Sequence, residues 1–113
     1  IQQDSNTTDI ITETIHYMKE NIERKLTLKE IAKHTGYSIS YFSALFSQRT
    51  GYAPLVYFNM LKIQQACSLL DFTNIKINQV CYKIGIEDPY YFSRLFNKIM
   101  GMPPKEYKKL KKG

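Results

Sequence analysis

The 113-residue sequence contains no tryptophan, only two cysteines, five glycines and four prolines, and no long apolar run. The longest apolar runs have four residues or fewer, as from Leu55 to Phe58, so a membrane-spanning helix is excluded. No charged-then-apolar start resembles a signal peptide. Cys67 and Cys81 form no CxxC pair and have no histidine pair at ligand spacing, so we expect small buried apolar side chains rather than a disulfide or a metal site. We therefore expect a soluble, cytoplasmic protein with no membrane association, metal or other cofactor.

The sequence also lacks the residue groupings on which enzymes depend. It shows no Ser/His/Asp grouping, no paired acids at a spacing typical of a cleft, no phosphate-cradling glycine loop and no metal-ligand set. We therefore predict that the protein is not an enzyme. What is present is an ordinary globular composition, with 43% hydrophobic and 23% charged residues, which argues against disorder. A chain of this length has room for one domain, or for two very small ones that share an element.

Charge is distributed unevenly along the chain. The formal net charge is +6, but residues 1–30 carry −2 and the 83 residues after them carry +8. A basic C-terminal part attracts a polyanion, and nucleic acid is the commonest polyanion in a cytoplasm. Charge alone leaves a second interpretation equally open, namely a solvated surface with excess lysine.

Two copies of one sequence unit organise the chain. The first copy reads LKEIAKHTGYSISYFSALFSQRTGYAPLVY from Leu28, and the second reads INQVCYKIGIEDPYYFSRLFNKIMGMPPKEY from Ile77. At an offset of 49, Val80, Cys81 and Gly85 stand for Ile31, Ala32 and Gly36. At an offset of 50, the residues that recur are Tyr41, Phe42, Ser43, Leu45, Phe46, Gly51, Pro54 and Tyr57. Since the matches fall at turn, core and helix-breaking positions, we expect one fold for both copies.

Each copy has the sequence of a short helix, a glycine turn and a second helix. In the first copy Thr27 and Glu30 form a T-x-x-E capping box at a helix start. Gly36 fits the left-handed position that ends this helix. Ser38 is placed to cap the second helix, which Gly51 ends.

The second copy carries matching signals, with one exception. Asp88 caps the second helix, Pro89 occupies its first helical position, where no donor is lost, and Gly101 closes it. Lys76 stands where the first copy has Thr27. We therefore expect the first helix of this copy to start without a matching cap.

The residues outside the two copies predict three more helices. Apolar residues at i, i+4, i+7 and i+11 from Ile11 to Ile22 predict a helix over about 9–23. Residues 54–71 carry a broad apolar surface, typical of a helix covered from more than one side, and Pro103-Pro104 opens a lysine-rich final helix.

The predicted fold class is all-α, with seven helices forming two helix-turn-helix subdomains joined by a long linker helix. The expected boundaries are a linker or disordered N-terminus at 1–8, the first subdomain at 9–53, the linker helix at 54–71 and the second subdomain at 72–113.

The two copies resemble the DNA-binding domain of AraC/XylS-type transcription regulators. The resemblance covers about Asp9 to Leu110, and the pattern G-I-E-D-P-Y-Y-F-S-R-L-F-x-K-x-x-G-x-x-P-x-x-Y of the second copy is its most specific part. It implies binding to asymmetric sites in double-stranded DNA, usually to activate transcription, with RNA polymerase as a protein partner. Many members place this domain after a sensory or dimerisation domain, and a chain that starts at Ile1 rather than Met is expected to be a piece of such a longer protein.

Helix geometry predicts which side chains face DNA. The second helix of a helix-turn-helix enters the major groove. Phe42, Leu45 and Phe46 must face the core, so the opposite face of the first recognition helix presents Ser40, Ser43, Ala44, Ser47 and Gln48. The matching face of the second recognition helix presents Tyr90, Ser93, Arg94, Asn97 and Lys98. The linker helix of 18 residues would be roughly 27 Å long, close to the ~34 Å between successive major-groove segments.

The chemistry of these side chains predicts their roles, and alternatives remain open. Arg94 suits guanine O6 and N7, Asn97 suits adenine or phosphate, and Gln48 suits adenine. A surface ion pair with Asp88 or Glu87 is the alternative role for Arg94. Lys62 occupies a place where the family often has arginine. At the level of the whole chain, the alternative to a DNA-binding regulator is a helical protein-interaction adaptor whose basic face meets an acidic partner.

Overall fold

The computed structural model describes the chain from residue 2 to residue 112, and side chains from residue 9 to residue 111. Within this part there are seven helices and no strand, which confirms the all-α class. The helices are α1 Gln2–Glu20, α2 Leu28–Thr35, α3 Ile39–Thr50, α4 Pro54–Phe72, α5 Ile77–Lys83, α6 Pro89–Met100 and α7 Pro104–Lys112. No helix of this part is both long enough and apolar enough to cross a membrane.

Helix α1 differs from its predicted bounds at both ends. It begins at Gln2, so residues 2–8, expected to be a linker or disordered, are helical, whereas Ile1 lies outside the described residues. The stretch holds no glycine or proline that would stop a helix. At the other end the helix stops at Glu20 rather than at position 23, because Asn21 closes it: its backbone N–H donates to Met18 O at 3.1 Å, and its side-chain amide donates to Tyr17 O at 2.8 Å.

The helices group into two compact units. The first unit contains the described residues up to Asn21 together with Leu26–Asn59, and the second contains Ile22–Lys25 together with the described residues from Met60 onward. Helix α4 therefore contributes its first turns to one unit and its remainder to the other. Each unit holds one predicted helix-turn-helix, α2 and α3 in the first and α5 and α6 in the second.

The first unit has a core drawn from all four of its helical segments. Thr14 is a buried polar residue of this unit, and its hydroxyl donates to Ile10 O at 2.7 Å, which satisfies it within α1. The buried apolar residues of the first unit are Ile11, Met18, Leu26, Ile31, Ala32, Phe42, Leu45, Phe46 and Phe58. This core fixes which face of α3 points inward.

The second unit repeats the arrangement around α6. Its core cluster consists of Ile63, Ala66, Leu70, Val80, Cys81, Ile84, Ile86, Phe92 and Phe96. Cys81 is a free, buried thiol, and burial raises its pKa, as expected for a small apolar packing residue. The predicted packing role of this cysteine agrees with its position.

Aromatic pairs show that the two copies pack alike. The ring centroids of Phe42 and Phe46 are 5.6 Å apart, and those of their counterparts Phe92 and Phe96 are 5.7 Å apart. Phe46 meets Tyr57 edge-on at 5.4 Å, and Phe96 meets Tyr107 in the same way at 5.5 Å. Edge-to-face contacts at this separation are favourable, so the sequence repeat corresponds to a repeated core geometry.

The predicted helix caps are present. Thr27 and Glu30 form both halves of the capping box, and the Ser38 hydroxyl accepts from Tyr41 N–H at 3.2 Å. Gly36 ends α2 with a φ of 81°. Asp88 caps α6 by accepting from Tyr90 N–H at 2.9 Å.

Helix α5 starts as predicted, without a side-chain cap from its N-cap residue. Gln79 Oε1 accepts from Lys76 N–H at 3.0 Å, which supplies one half of a capping box. The other half is missing because a lysine ammonium group carries no acceptor.

Candidate nucleic-acid interface

The outer face of α3 is built by the core residues behind it. Phe42 and Phe46 are fully buried, and Leu45 is 7% exposed. With about 100° between successive residues, the opposite side of the helix is centred on Ala44. Of the predicted contact residues of α3, Ser40, Ala44 and Gln48 are exposed, and Ser47 is half-buried. This face carries no charge.

Ser43 does not sit as predicted on the outer face. The residue is half-buried, and its hydroxyl oxygen is buried without a hydrogen-bond partner among the described residues. The side chain points its oxygen inward because position 43 lies about 100° from the centre of the outer face, at the edge of the packed side. In this rotamer the hydroxyl is not available to a ligand.

The outer face of α6 is polar and positively charged. Phe92 and Phe96 are fully buried, which fixes a face centred on Arg94. The predicted contact residues Tyr90, Arg94, Asn97 and Lys98 are exposed, and Ser93 is half-buried. Two cations therefore project from one side of a helix whose Asp88 cap holds its start in place.

The surface ion pair considered for Arg94 is not formed. Neither Asp88 nor Glu87 lies within ion-pair distance of Arg94 in the described part of the chain. The Asp88 carboxylate instead accepts from the backbone N–H of Tyr90. The Arg94 side chain is exposed, so its guanidinium donors are accessible to a base edge or a phosphate.

Two tyrosines flank these faces at equivalent positions of the repeat. Tyr41 is 51% exposed and Tyr91 is 43% exposed, at equivalent places on α3 and α6. Tyr41 also meets Tyr37 edge-on, with ring centroids 4.8 Å apart. Their recurrence at an offset of 50 was visible in the sequence, but it does not distinguish a core position from a border position.

Lys62 is buried inside the second unit and is not a ligand-facing residue. It is 3% exposed, and its ammonium group donates to the carbonyl oxygens of Ile22, of Arg24 at 2.9 Å and of Ile84 at 2.6 Å. These bonds tie α4 to the turn after α1 and to the end of α5, directly before the turn that leads to α6. Burial lowers the pKa of Lys62 to about 8, and the Glu23 carboxylate opposes this shift.

A close backbone approach accompanies the Lys62 cluster. Gly85 has a φ of 73°, and a Cβ there would collide with the Glu23 backbone carbonyl. Only glycine fits this position, because the conformation is left-handed and the space is occupied. The sequence signal for this cluster was a lysine placed among the apolar residues of the linker helix.

Both histidines and Lys108 make contacts within the protein. His16 Nε2 lies 3.3 Å from Glu20 Oε1 on the exposed side of α1, and His34 stacks on Tyr17 with ring centroids 4.2 Å apart. Lys108 donates to Ile75 O at 3.1 Å. Residues 9–111 contain no group of three or more His, Cys, Asp or Glu side chains placed to hold a metal ion.

Comparison with known proteins agrees with this geometry. The model of a family described as a helix-turn-helix domain matches residues 15–110. The MmsAB operon regulatory protein of Pseudomonas aeruginosa is 38% identical over 92 residues, which are 81% of this chain and 30% of that protein. The transcriptional activator Btr of Bacillus subtilis is 28% identical over 95 residues, which are 84% of this chain and 18% of that protein. A transcriptional regulator from Chromobacterium violaceum with an AraC-type DNA-binding domain is 27% identical, with a TM-score of 0.87 over 95% of this chain and 96% of that one.

The two helix-turn-helix units and their outward-facing helices define a DNA-binding domain of a transcription regulator. The chain belongs to the AraC/XylS family. The predicted class, a DNA-binding regulator rather than an enzyme, is thereby confirmed. The chain spans less than a third of the length of the two regulatory proteins named above.

Proposed function

We propose that this domain binds specific double-stranded DNA by inserting α3 and α6 into successive major-groove segments. The observation that carries the proposal is the exposed face of α6, where Arg94, Asn97 and Lys98 project together from a helix with a fixed start. An α-helix fits the major groove, and these side chains are donors that read base edges or hold phosphates.

The residues of α6 have separable roles in this proposal. Arg94 pairs bidentately with O6 and N7 of a guanine, which is the commonest specific contact. Asn97 addresses an adenine or holds a phosphate, and Lys98 neutralises phosphate charge. Tyr90 and Ser93 complete the face as polar contacts. On α3, Gln48 addresses an adenine, while Ser40, Ala44 and Ser47 allow close approach of the helix to the bases.

We further propose that the domain is part of a transcriptional activator that acts through RNA polymerase in the cytoplasm. We also propose that a sensory or dimerisation domain precedes it in a longer protein. Support comes from the relative Btr, which is named as a transcriptional activator and of which the chain matches 18%. A promoter-reporter assay in cells tests the sign: expression above the level without regulator supports activation, and expression below that level refutes it.

Replacing Arg94 with alanine tests the assignment of the reading residue. We expect Arg94→Ala to weaken binding by about 1–3 kcal/mol and to relax base preference at one position of the site. Labelled duplexes that carry each of the four bases at every position of the bound site, titrated by fluorescence anisotropy, measure both effects. Lys19→Ala is the matched control, because it removes one exposed positive charge from α1, outside both helix-turn-helix motifs.

Two outcomes would contradict different parts of the proposal. Equal weakening on all sequences would assign Arg94 to a phosphate and contradict its role in base reading. Titration at two salt concentrations separates DNA binding from the adaptor alternative, since counterion release makes affinity for duplex fall steeply with salt. Absence of any salt-sensitive duplex binding would contradict the proposed function and favour an acidic protein partner.

A further inference from the structure

The two recognition faces differ in chemistry at equivalent positions of the repeat. The central position is Ala44 in α3 and Arg94 in α6, and both are exposed. The neighbouring position is Gln48 in α3 and Lys98 in α6, again exposed in both. One helix therefore presents a methyl group and an amide where the other presents a guanidinium and an ammonium group.

Because the Ser43 hydroxyl points inward, the α3 face is less polar than its sequence suggests. Its hydroxyl oxygen is buried, so it adds no donor or acceptor to the surface. What remains in the middle of the face is the Ala44 side chain, with Gln48 on one side and the hydroxyls of Ser40 and Ser47 on the other. The 51% exposed ring of Tyr41 borders the Gln48 side.

Base edges in the major groove distinguish these two surfaces. Thymine is the base that presents a methyl group there, and small apolar side chains such as alanine contact it. A glutamine amide pairs with N6 and N7 of adenine, whereas arginine and lysine pair with O6 and N7 of guanine. The surface of α3 thus matches A·T pairs, and the surface of α6 matches guanine.

We propose that the two helices read DNA blocks of different composition: α3 reads an A·T-rich block, in part through thymine methyl groups in contact with Ala44, and α6 reads a block that contains guanine. This inference rests on the proposed function, because it needs both helices in the major groove. It specifies the class of DNA site that the domain selects.

Selection of bound duplexes from a random pool, followed by base substitution, tests the inference. The selected sequences give the blocks, and repeating the selection with Arg94→Ala identifies the α6 block as the one that loses its guanine preference. Thymines of each block are then replaced by uracil, which removes the methyl group and keeps base pairing. We expect uracil in the α3 block to weaken binding by about fourfold for each methyl contacted. Uracil in the α6 block is the matched control, with an expected change of less than about twofold.

Replacing the central residue of the α3 face with its counterpart from α6 gives an independent test. Ala44→Arg copies the α6 chemistry onto α3 at an exposed helical position, where arginine is a good helix former. We expect this variant to gain a preference for guanine at one position of the α3 block, by at least about fivefold, and to lose its sensitivity to uracil there.

The results separate failure of this inference from failure of the proposed function. The inference is overturned if the selected site has two blocks but the α3 block requires guanine, or if uracil in the α3 block does not weaken binding. Either result leaves two-helix DNA binding intact. Selection that yields no preferred duplex at all overturns the proposed function and the inference with it. An A·T-rich α3 block that is sensitive to uracil supports both.

Discussion

A buried ammonium group lies inside the second unit, and its burial has a measurable effect on how stability depends on pH. Lys62 donates to the carbonyl oxygens of Ile22, Arg24 and Ile84, so its ammonium group joins α4 to two backbone segments, the turn after α1 and the end of α5. These acceptors come from residues 40, 38 and 22 positions away in sequence. A lysine among the apolar residues of the linker helix marked the position, but its acceptors could not be predicted from sequence because they are so distant along the chain.

Titration of Lys62 should therefore couple to stability. Burial lowers its pKa to about 8 in the folded protein, whereas an unfolded chain has an ordinary lysine pKa of about 10.4. Between these pH values the unfolded state binds more protons, so the contribution of Lys62 to the free energy of unfolding should rise with pH. The Cε resonance of Lys62 in an NMR titration should show a midpoint near 8. A midpoint near 10 would show that the three carbonyls outweigh burial, and would contradict this prediction.

Two small residues at equivalent places of the repeat are predicted to resist enlargement. Ala32 is 1% exposed and Cys81 is 2% exposed, each within the core of its unit. We expect Ala32→Leu and Cys81→Leu each to lower the free energy of unfolding by about 1–3 kcal/mol, because extra methyl groups overpack a filled core. Urea denaturation measures the change. Ala44→Leu on the exposed face of α3 is the control, with an expected change within about 0.5 kcal/mol; an equally small change at Ala32 would mean that its surroundings are loose.

The role of a residue could be predicted from sequence where it depends on residues close to it in the chain. Ser38 and Asp88 were predicted as caps and act as caps, because a capping residue bonds to backbone groups two or three residues away. The inward-facing hydroxyl of Ser43 was missed, because its rotamer is set by the packing around it. Exposure at the border of a face, as for Tyr41, also depends on neighbouring elements.

Helix starts are the clearest difference between the two copies at the scale of elements. Helix α2 has a complete capping box, whereas α5 has Gln79 without a side-chain acceptor at Lys76. Replacing Lys76 with threonine should complete the box and raise the free energy of unfolding by about 0.5–1 kcal/mol. Chemical denaturation of Lys76→Thr beside the reverse change, Thr27→Lys, measures the effect. We expect the reverse change to destabilise, and a Lys76→Thr protein no more stable than the wild type would speak against a missing cap.

Helix α1 shows where element prediction from sequence ends. Its apolar stripe gave the correct helix type, but the polar residues before Asp9 carry neither a stop signal nor an apolar period. Ile22 fits the period of the stripe, yet it lies beyond the helix and belongs to the second unit. Periodicity identified this helix, and local hydrogen bonds of Asn21 determined its end.

At the scale of the molecule, duplication accounts for the fold and divergence accounts for the difference between the two faces. The ring pairs of the two cores agree within about 0.1 Å, because the Phe and Tyr positions recur. The residue types at the outer positions do not recur, and the clearest case is Ala44, whose equivalent in the second copy is Arg94. The two units and the two faces could be predicted from the repeat. The assignment of Ile22–Lys25 to the second unit could not, since it rests on contacts with Lys62 and Gly85 that are distant in sequence.

Hydroxyl-radical footprinting of the full chain on a selected duplex tests the central claim most directly. If α3 and α6 occupy successive major-groove segments, the protected sugars should form two patches on one side of the duplex, with centres about 10–10.5 base pairs apart. Arg94→Ala should weaken protection on the patch that contains guanine, and the other patch should keep more of its protection. A single protected patch, or protection spread evenly along both strands, would contradict reading by two helices.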